Sequence, residues 1–575
     1  MNRLLIALLG GFLISACSSG SAADDEDDDA AGGADDGSTV VGEGDPTAIT
    51  IQIDTPERGT LSQDSQASVS GKVTSTDADI ESVDINGTAV TLGGDGTFQA
   101  TVPLTEGITL IQTHARDAAG NEAIDARGVL SGTLVDASTP VTNGVVASLS
   151  GQAMTGLSTA VSDLANGTDF TALATALNPV VNTGDGCNDA RVFVESIEHG
   201  PIDVSATPVA GGIGAAVSIG SLVVRGHVDF SAVCIDGSAG FTMTADSYDV
   251  GGSIIPSLSG GDIAITIDGV TSTFAGFNID VNGVPGFVES LFEGTARDKI
   301  AEILRDTISQ MIPPLASDFL SGFLAESFTI PLLGQNLSLG ITPTAMNWTE
   351  QGGTIAIDTT ATVEGLEGAT YLSTPTTPPS DADLGATGIR VALADDVVNQ
   401  LLASIWASGA LDDTMLPLPG DALSAAFGGD VASAQLTMIL PPVANFDTTT
   451  GTARLTIGDV QLDAVSSTGE ELASFILSAE IELAVETTSD GRVLIVTRAP
   501  QIVAQILSQS EGLALPLTPD QVAAIAELGI KQVSLLADDL LESIPVPGIA
   551  GATITSPTIQ PAGGYLLLGG TLTFE

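Results

Sequence analysis

Apolar and polar residues alternate over short segments at the start of the patterned chain: Ile49 to Ile53, Ala67 to Val73, Ser82 to Ile85, Thr97 to Val102 and Thr109 to Ala115. Turn residues separate them, a spacing that predicts a small β-sandwich over residues 47–131. Asn86-Gly87 and Asp95-Gly96 are strong hairpin signals, since both pairs tolerate positive φ. The period changes near residue 140. Val145 to Leu177 reads as helix, with Leu149, Met154, Leu157, Val161 and Leu164 roughly on one face. Strand-like segments follow at 192–197, 215–224, 228–234, 241–250 and 263–267. A long helical stripe then passes through Phe287, Leu291, Ile300, Ile303, Leu304, Ile308, Met311 and Ile312. Pro313-Pro314 must kink or break it.

The second half repeats this order. A strand from Gly388 runs into Asp395-Asp396, read here as the N-terminal cap of a helix over 395–408. Val398, Leu401, Leu402, Ile405 and Trp406 form its apolar face, and Gly409 can leave the helix with positive φ. Strands continue to about 498. Thr518-Pro519-Asp520-Gln521 is a capping box with proline at the first helical position. Val522, Ile525, Leu528, Leu536 and Leu540 give the face of that helix, and Tyr565 to Phe574 reads as a closing strand. Both halves run helix, strands, long helix, proline-rich exit.

Composition narrows the function classes. The 575 residues include 66 Gly and only 4% aromatics, and 15 Lys+Arg stand against 72 Asp+Glu, a net charge of −57. Such a chain repels phosphate backbones, so no nucleic-acid partner is expected. Arg3 and the apolar run Leu4 to Leu13 make a leader too short to span as a mature helix. Ile14-Ser15-Ala16-Cys17 has the form of a lipobox, which marks 1–16 as a lipoprotein signal peptide and Cys17 as the lipidated residue. A multiply acylated Cys17 anchors stably where one chain would be marginal. Serine after the cysteine is compatible with a bacterial outer membrane, facing the periplasm or the cell surface. Cys187 and Cys234 remain as a pair for a disulfide in that oxidising setting. Residues 17–46 carry the acidic run Asp24 to Asp29 without an apolar face and read as a disordered tether.

Two resemblances follow from motifs. Val83 to Gly87, Asp95 to Phe98, Val102-Pro-Leu104 and Ala115 to Asn121 resemble bacterial immunoglobulin-like modules appended to surface proteins and glycosidases. The strand-helix at 388–411, Val288 to Phe292, Ser543-Ile-Pro-Val-Pro547, Thr558 to Pro561 and Tyr565 to Gly570 resemble, in order, the bactericidal/permeability-increasing and lipopolysaccharide-binding protein-like family of the tubular lipid-binding (TULIP) superfamily. That resemblance covers about residues 140–575. It implies an α+β fold: two elongated barrels, each an antiparallel sheet wrapped around long helices, joined as a boomerang behind the all-β immunoglobulin-like sandwich. The first barrel would span 140–350, a central connection 351–386 and the second barrel 387–575. Each would hold acyl chains of a phospholipid or other lipid between helix and sheet. Leu157, Val161, Ile300, Ile303, Leu304, Ile308, Leu401, Leu402, Ile405, Trp406, Val522 and Ile525 are then the pocket candidates, each equally well read as plain core. One departure is plain: basic residues across both barrels are few, which favours neutral or zwitterionic lipid over capture of lipid A by charge.

No hydrolase elbow, zinc-helix motif or phosphate loop occurs, and the three histidines, His114, His199 and His227, read as surface or turn residues. The expectation is therefore a non-enzymatic, membrane-anchored lipid-binding lipoprotein, with lipid transfer as an extension of that role, without cofactor or metal. The alternative is a surface adhesion or scaffold lipoprotein that works through its immunoglobulin-like module.

Overall fold

The computed structural model describes residues 48–574 apart from 285–296, 310–327, 380–387, 417–430, 447–452, 488–492, 511–551 and a few gaps of one or two residues. Strands predominate. The N-terminal module comprises β1 (Ile49–Thr55), β2 (Thr60–Ser62), β3 (Gln66–Ser75), β4 (Ile80–Ile85), β5 (Thr88–Ala89), β6 (Thr97–Pro103), β7 (Gly107–Asp117) and β8 (Glu122–Ser131). Sheets β1-β3-β6 and β2-β8-β7-β4-β5 face each other across Ile49, Val69, Phe98, Ile111 and Val129. Alternation put one face of each strand inside, as the sequence predicts. Asn86 and Gly87 take φ of 48° and 73° between β4 and β5, the hairpin turn expected of that pair.

The chain continues through β9 (Thr133–Asp136), β10 (Val141–Ser150), helix α1 (Gly151–Asn166) and helix α2 (Phe170–Ala176). The single helix read from Val145 therefore begins only at Gly151. Val145 to Ser150 are strand residues, buried on both faces of a sheet. A doubly buried strand loses its alternation and cannot be told from a buried helix by period.

The first outer sheet follows: β11 (Val181–Asp185), β12 (Asn188–Glu198), β13 (Ile202–Val209), β14 (Gly212–Ala232), β15 (Ile235–Ser259), β16 (Asp262–Ala275) and β17 (Asn278–Val281). Then come β18 (Phe328–Leu332), β19 (Gln335–Thr349), β20 (Gly352–Val363), β21 (Thr370–Ser373), β22 (Ile389–Ala394) and helix α3 (Asp395–Ala407). The second outer sheet holds β23 (Thr414–Leu416), β24 (Val431–Met438), β25 (Val443–Phe446), β26 (Ala453–Ser466), β27 (Glu471–Thr487), β28 (Val493–Thr497) and β29 (Gln501–Gln509), and β30 (Ala552–Ala562) and β31 (Tyr565–Phe574) end the chain.

A central antiparallel sheet has the order β18-β19-β20-β10-β22-β31-β30. It therefore draws strands from both halves of the chain, not only from the 351–386 stretch. The two outer sheets share one topology. β12 and β13 pair in tandem along β14, and β16 and β17 in tandem along β15. β24 and β25 do the same along β26, and β28 and β29 along β27. Even the kink between the tandem partners recurs, with Gly220-Ser221 in β14 and Gly458-Asp459 in β26. Ser221 and Asp459 both hold left-handed backbone, φ 45° and 48°. The doubled helix-strand order in the sequence thus corresponds to a doubled half-barrel sheet.

Candidate functional site

Each outer sheet turns an apolar face inward, and the residues that cover it come from helices. In the first, Val192, Val224, Val228, Met243 and Tyr248 pack with Ile300 and Leu304 of the helical segment 297–306. The Tyr248 hydroxyl donates to the Ala301 carbonyl at 2.6 Å and fixes that helix to the sheet. Ile303 packs half-buried beside them, with Val204, Phe274, Phe277, Ile279 and Val281 along the same margin. In the second, Val460, Leu462, Phe475 and Leu477 meet Trp406. The Trp406 indole N–H donates to the Met438 carbonyl at 2.8 Å.

The candidates drawn from the sequence fall in three places. Ile300, Ile303 and Leu304 lie against the first sheet. Leu401, Leu402 and Ile405 are buried in the central core with Val391, Leu393 and Tyr565. Trp406 joins the second sheet's core. Val161 is half-buried on α1, which also carries Leu157. Cys17, Ile308, Val522 and Ile525, with the capping box at 518–521, lie outside the described residues. A disulfide joins Cys187 to Cys234.

Polar residues on the helices do work that the apolar stripes did not disclose. Ser158, Ser162 and Asn166 stand four residues apart on α1 and face the outer edge of β13. Their oxygens accept from the backbone N–H groups of Ala206, Val204 and Ile202 at 2.8, 2.7 and 2.9 Å. An unpaired strand edge is thereby satisfied by side chains instead of by another strand. α3 repeats the device on β25: Asn399 exchanges two bonds with Ala444, and Asp395 Oδ2 accepts from Phe446 N–H at 3.2 Å. The i, i+4 spacing was visible in the sequence, but polar residues in that pattern usually mark a solvated face.

Asp395 and Asp396 are accordingly not caps. The residue at the cap position is Ala394, which makes no side-chain bond to the helix. Asp396 accepts from Thr374 N–H at 2.7 Å and Ser373 Oγ at 2.8 Å, while Thr374 Oγ1 donates to Asp395 at 2.8 Å. Burial pushes the Asp395 carboxyl up to about 7, and raises Asp396 as well. Tyr371 and Tyr565 nearby are pushed up to about 12, chiefly by burial and then by the adjacent carboxylates. Perturbed carboxyls invite a catalytic reading, yet each oxygen here is engaged by a backbone or hydroxyl donor that ties α3 to β25 and to the end of β21.

A cleft of about 370 Å³ opens beside β9 and β20, lined by Asp136, Ser138, Thr360, Thr362, Leu366 and Glu367 among others, a mixed polar lining unlike the sheet interiors. Among the described residues no group of three or more His, Cys, Asp or Glu side chains is placed to hold a metal. No helix among them is long and apolar enough to cross a membrane. His227 stacks on Phe193 and bonds Glu195 at 2.7 Å, and His199 meets the edge of Phe170.

The sandwich is not a free unit. Arg58 reaches Asp125, Asp459 and Gln505, and Gln505 Oε1 also accepts from Ala126 N–H. Asp459 is 0% exposed and accepts from Gly128 N–H at 2.8 Å and Gly59 N–H at 3.4 Å. Gly128 lies where a Cβ would strike Leu440 at 2.9 Å and press on Gly458, so glycine lets the two backbones approach. Leu130, Leu372, Leu440 and Val443 close the contact with a small apolar cluster. Sequence reasoning missed this interface, because its polar partners lie more than 300 residues apart.

Residues 49–131 match the family described as Glucodextranase, domain B, in agreement with an immunoglobulin-like module there. No curated protein matches the chain. Among solved structures it is similar to lipopolysaccharide binding protein, at 13% identity and TM-score 0.43, over 76% of this chain and 100% of that one. It is also similar to a tetra-tandem repeat in the extending region of a large adhesion protein, at 13% identity and TM-score 0.12, over 80% and 100%.

Proposed function

We propose that the chain is a lipid-binding lipoprotein whose two outer sheets are the walls of elongated barrels, set as a boomerang about the central sheet. The observation that carries this reading is the duplicated half-barrel, with an apolar inner face turned toward helices in both copies. The helix stripes of Leu, Ile and Val suit flexible alkyl chains, and the half-buried margin at Ile303, Phe274, Phe277, Ile279 and Val281 is where a chain would enter the first sheet. Each buried methylene is worth about 0.8 kcal/mol, but a bilayer already provides that burial. The protein's task is then kinetic: shielding tails in transit, with no general base, metal or covalent step. The scarcity of basic residues favours neutral or zwitterionic lipid. Acylated Cys17 holds the chain at the bacterial outer membrane.

Expression of residues 18–575 to the periplasm behind an ordinary secretory leader, followed by native mass spectrometry and solvent extraction, tests the proposal. One or two lipids per chain are expected. A lipid-free mass that persists after incubation with vesicles would overturn it. The match of residues 49–131 to a module of a glucodextranase favours a second reading, adhesion to a glycan or protein through that module. It requires binding that is lost when the exposed residues of β1, β3 and β6 are changed, with lipid content unaffected.

A further inference from the structure

β14 and β15 form one continuous hairpin that ends at the pair Ala232 and Ile235, leaving Val233-Cys234 as a two-residue turn. Both turn residues hold left-handed backbone, φ 52° and 61°. Asn-Gly is the usual occupant of such a turn, and a β-branched residue there is strained. The neighbouring β11–β12 turn holds it in place. Cys187 is bonded to Cys234, the Cys187 carbonyl accepts from Cys234 N–H, and Asn188 Oδ1 accepts from Val233 N–H, both at 3.3 Å. The outcome is that Val233 is 81% and Ile235 73% exposed, the most exposed large hydrophobic residues among those described.

The repeat supplies a control. The equivalent turn of the second sheet, between β26 and β27, is Ser467-Thr468-Gly469-Glu470, and Ser466 Oγ accepts from the N–H groups of Thr468 and Glu470. A polar turn closes this topology without strain in valine, so the apolar tip of the first sheet is not a demand of the fold.

We propose that Val233 and Ile235 are a docking tip that enters the interface of a zwitterionic bilayer. The two side chains stand on an exposed, covalently pinned turn; of the rungs behind them Ser231–Asp236 and Asp229–Ser238 are polar, and Phe230 on the rung to Gly237 packs against the sheet's own core. A stable protein interface buries about 800 Å² per partner, which two residues cannot supply, whereas a fluid interface accepts a small apolar wedge. Asp189, Asp229 and Asp236 flank the tip, with Arg191 on the rung paired to Asp229. That balance repels anionic head groups and fixes the choice of surface. Docking goes beyond the binding of cargo lipid, since it concerns the membrane's surface and not the sheet's interior.

The test is flotation of residues 18–575, which lack the acylated cysteine, with phosphatidylcholine vesicles. V233D/I235D should lower vesicle partitioning at least tenfold, V233L/I235L should retain it, and lipid content by native mass spectrometry should stay unchanged in both. As a second measurement, V233W should gain fluorescence quenching by brominated phosphatidylcholine over the wild-type chain. Equal partitioning of wild type and V233D/I235D would overturn the proposal, as would preference for phosphatidylglycerol vesicles. Self-association of the wild-type chain that V233D/I235D abolishes, without vesicle binding, would replace it with a second copy as the occupant.

Discussion

Ser221 and Asp459 occupy the same kink in two copies of one sheet, and their surroundings differ completely. Ser221 is exposed. Asp459 is sealed beneath the N-terminal module, where it accepts from Gly128, Gly59 and Arg58. The hairpin ends differ as well: the first sheet finishes in a disulfide-pinned apolar turn, the second in a polar one. One topology is therefore stabilised in two ways, by a covalent link in the first copy and by a docked domain in the second. A repeat conserves backbone geometry while leaving each copy free to find its own support.

The sharpest break in this comparison is Asp459→Ala. Removing one partner of a buried ion pair that also holds backbone donors costs about 3–5 kcal/mol. Urea denaturation should show that loss together with new proteolysis of the module, whereas Ser221→Ala should change stability by less than about 0.5 kcal/mol. Equal effects at the two kinks would mean that the module is not held through Asp459. Replacing Cys187 and Cys234 by serine should cost about 2–4 kcal/mol. Amide exchange should place that loss in the first outer sheet, with β23 to β29 unaltered.

A pH titration addresses α3. Asp395 is raised from 3.8 to about 7 by burial, so between those values the folded state holds a proton that the unfolded chain has released. Stability should therefore fall as pH rises from about 4 to about 7 and level off above, by a few kcal/mol at most. Asp395→Asn should flatten that slope; a slope unchanged in the variant would assign it to other groups, Asp396 and Glu106 first, both of which burial also raises. A smaller loss is expected of Tyr248→Phe, which removes one bond to the helical segment 297–306 at a cost of about 1 kcal/mol. Differential scanning calorimetry should resolve it.

Much of this was legible because it is local. Alternation revealed the module's strands, Asn86-Gly87 its hairpin, and the apolar periodicity after Asp395 the helix α3. Val145 to Ser150 misled because burial on both faces erases the strand's period. Asp395-Asp396 looked like caps because acids at a helix start usually are, and only the position of β25 shows what they bind. Ser158, Ser162 and Asn166 resembled a solvated face. The Asp459 contact left no local trace at all, since neither Gly128 nor Arg58 announces a partner in the other half of the chain.

The docked module also has a mechanical consequence. β1 enters the sandwich immediately after the N-terminal segment, and the sandwich is joined to the second sheet through Asp459 and to β21 through β9. Tension applied at Ala48 is therefore shared among the sandwich, the second sheet and the β9–β21 ladder before it reaches β10. The first sheet lies off that load path, so a pull at Ala48 reaches its long β14–β15 hairpin last.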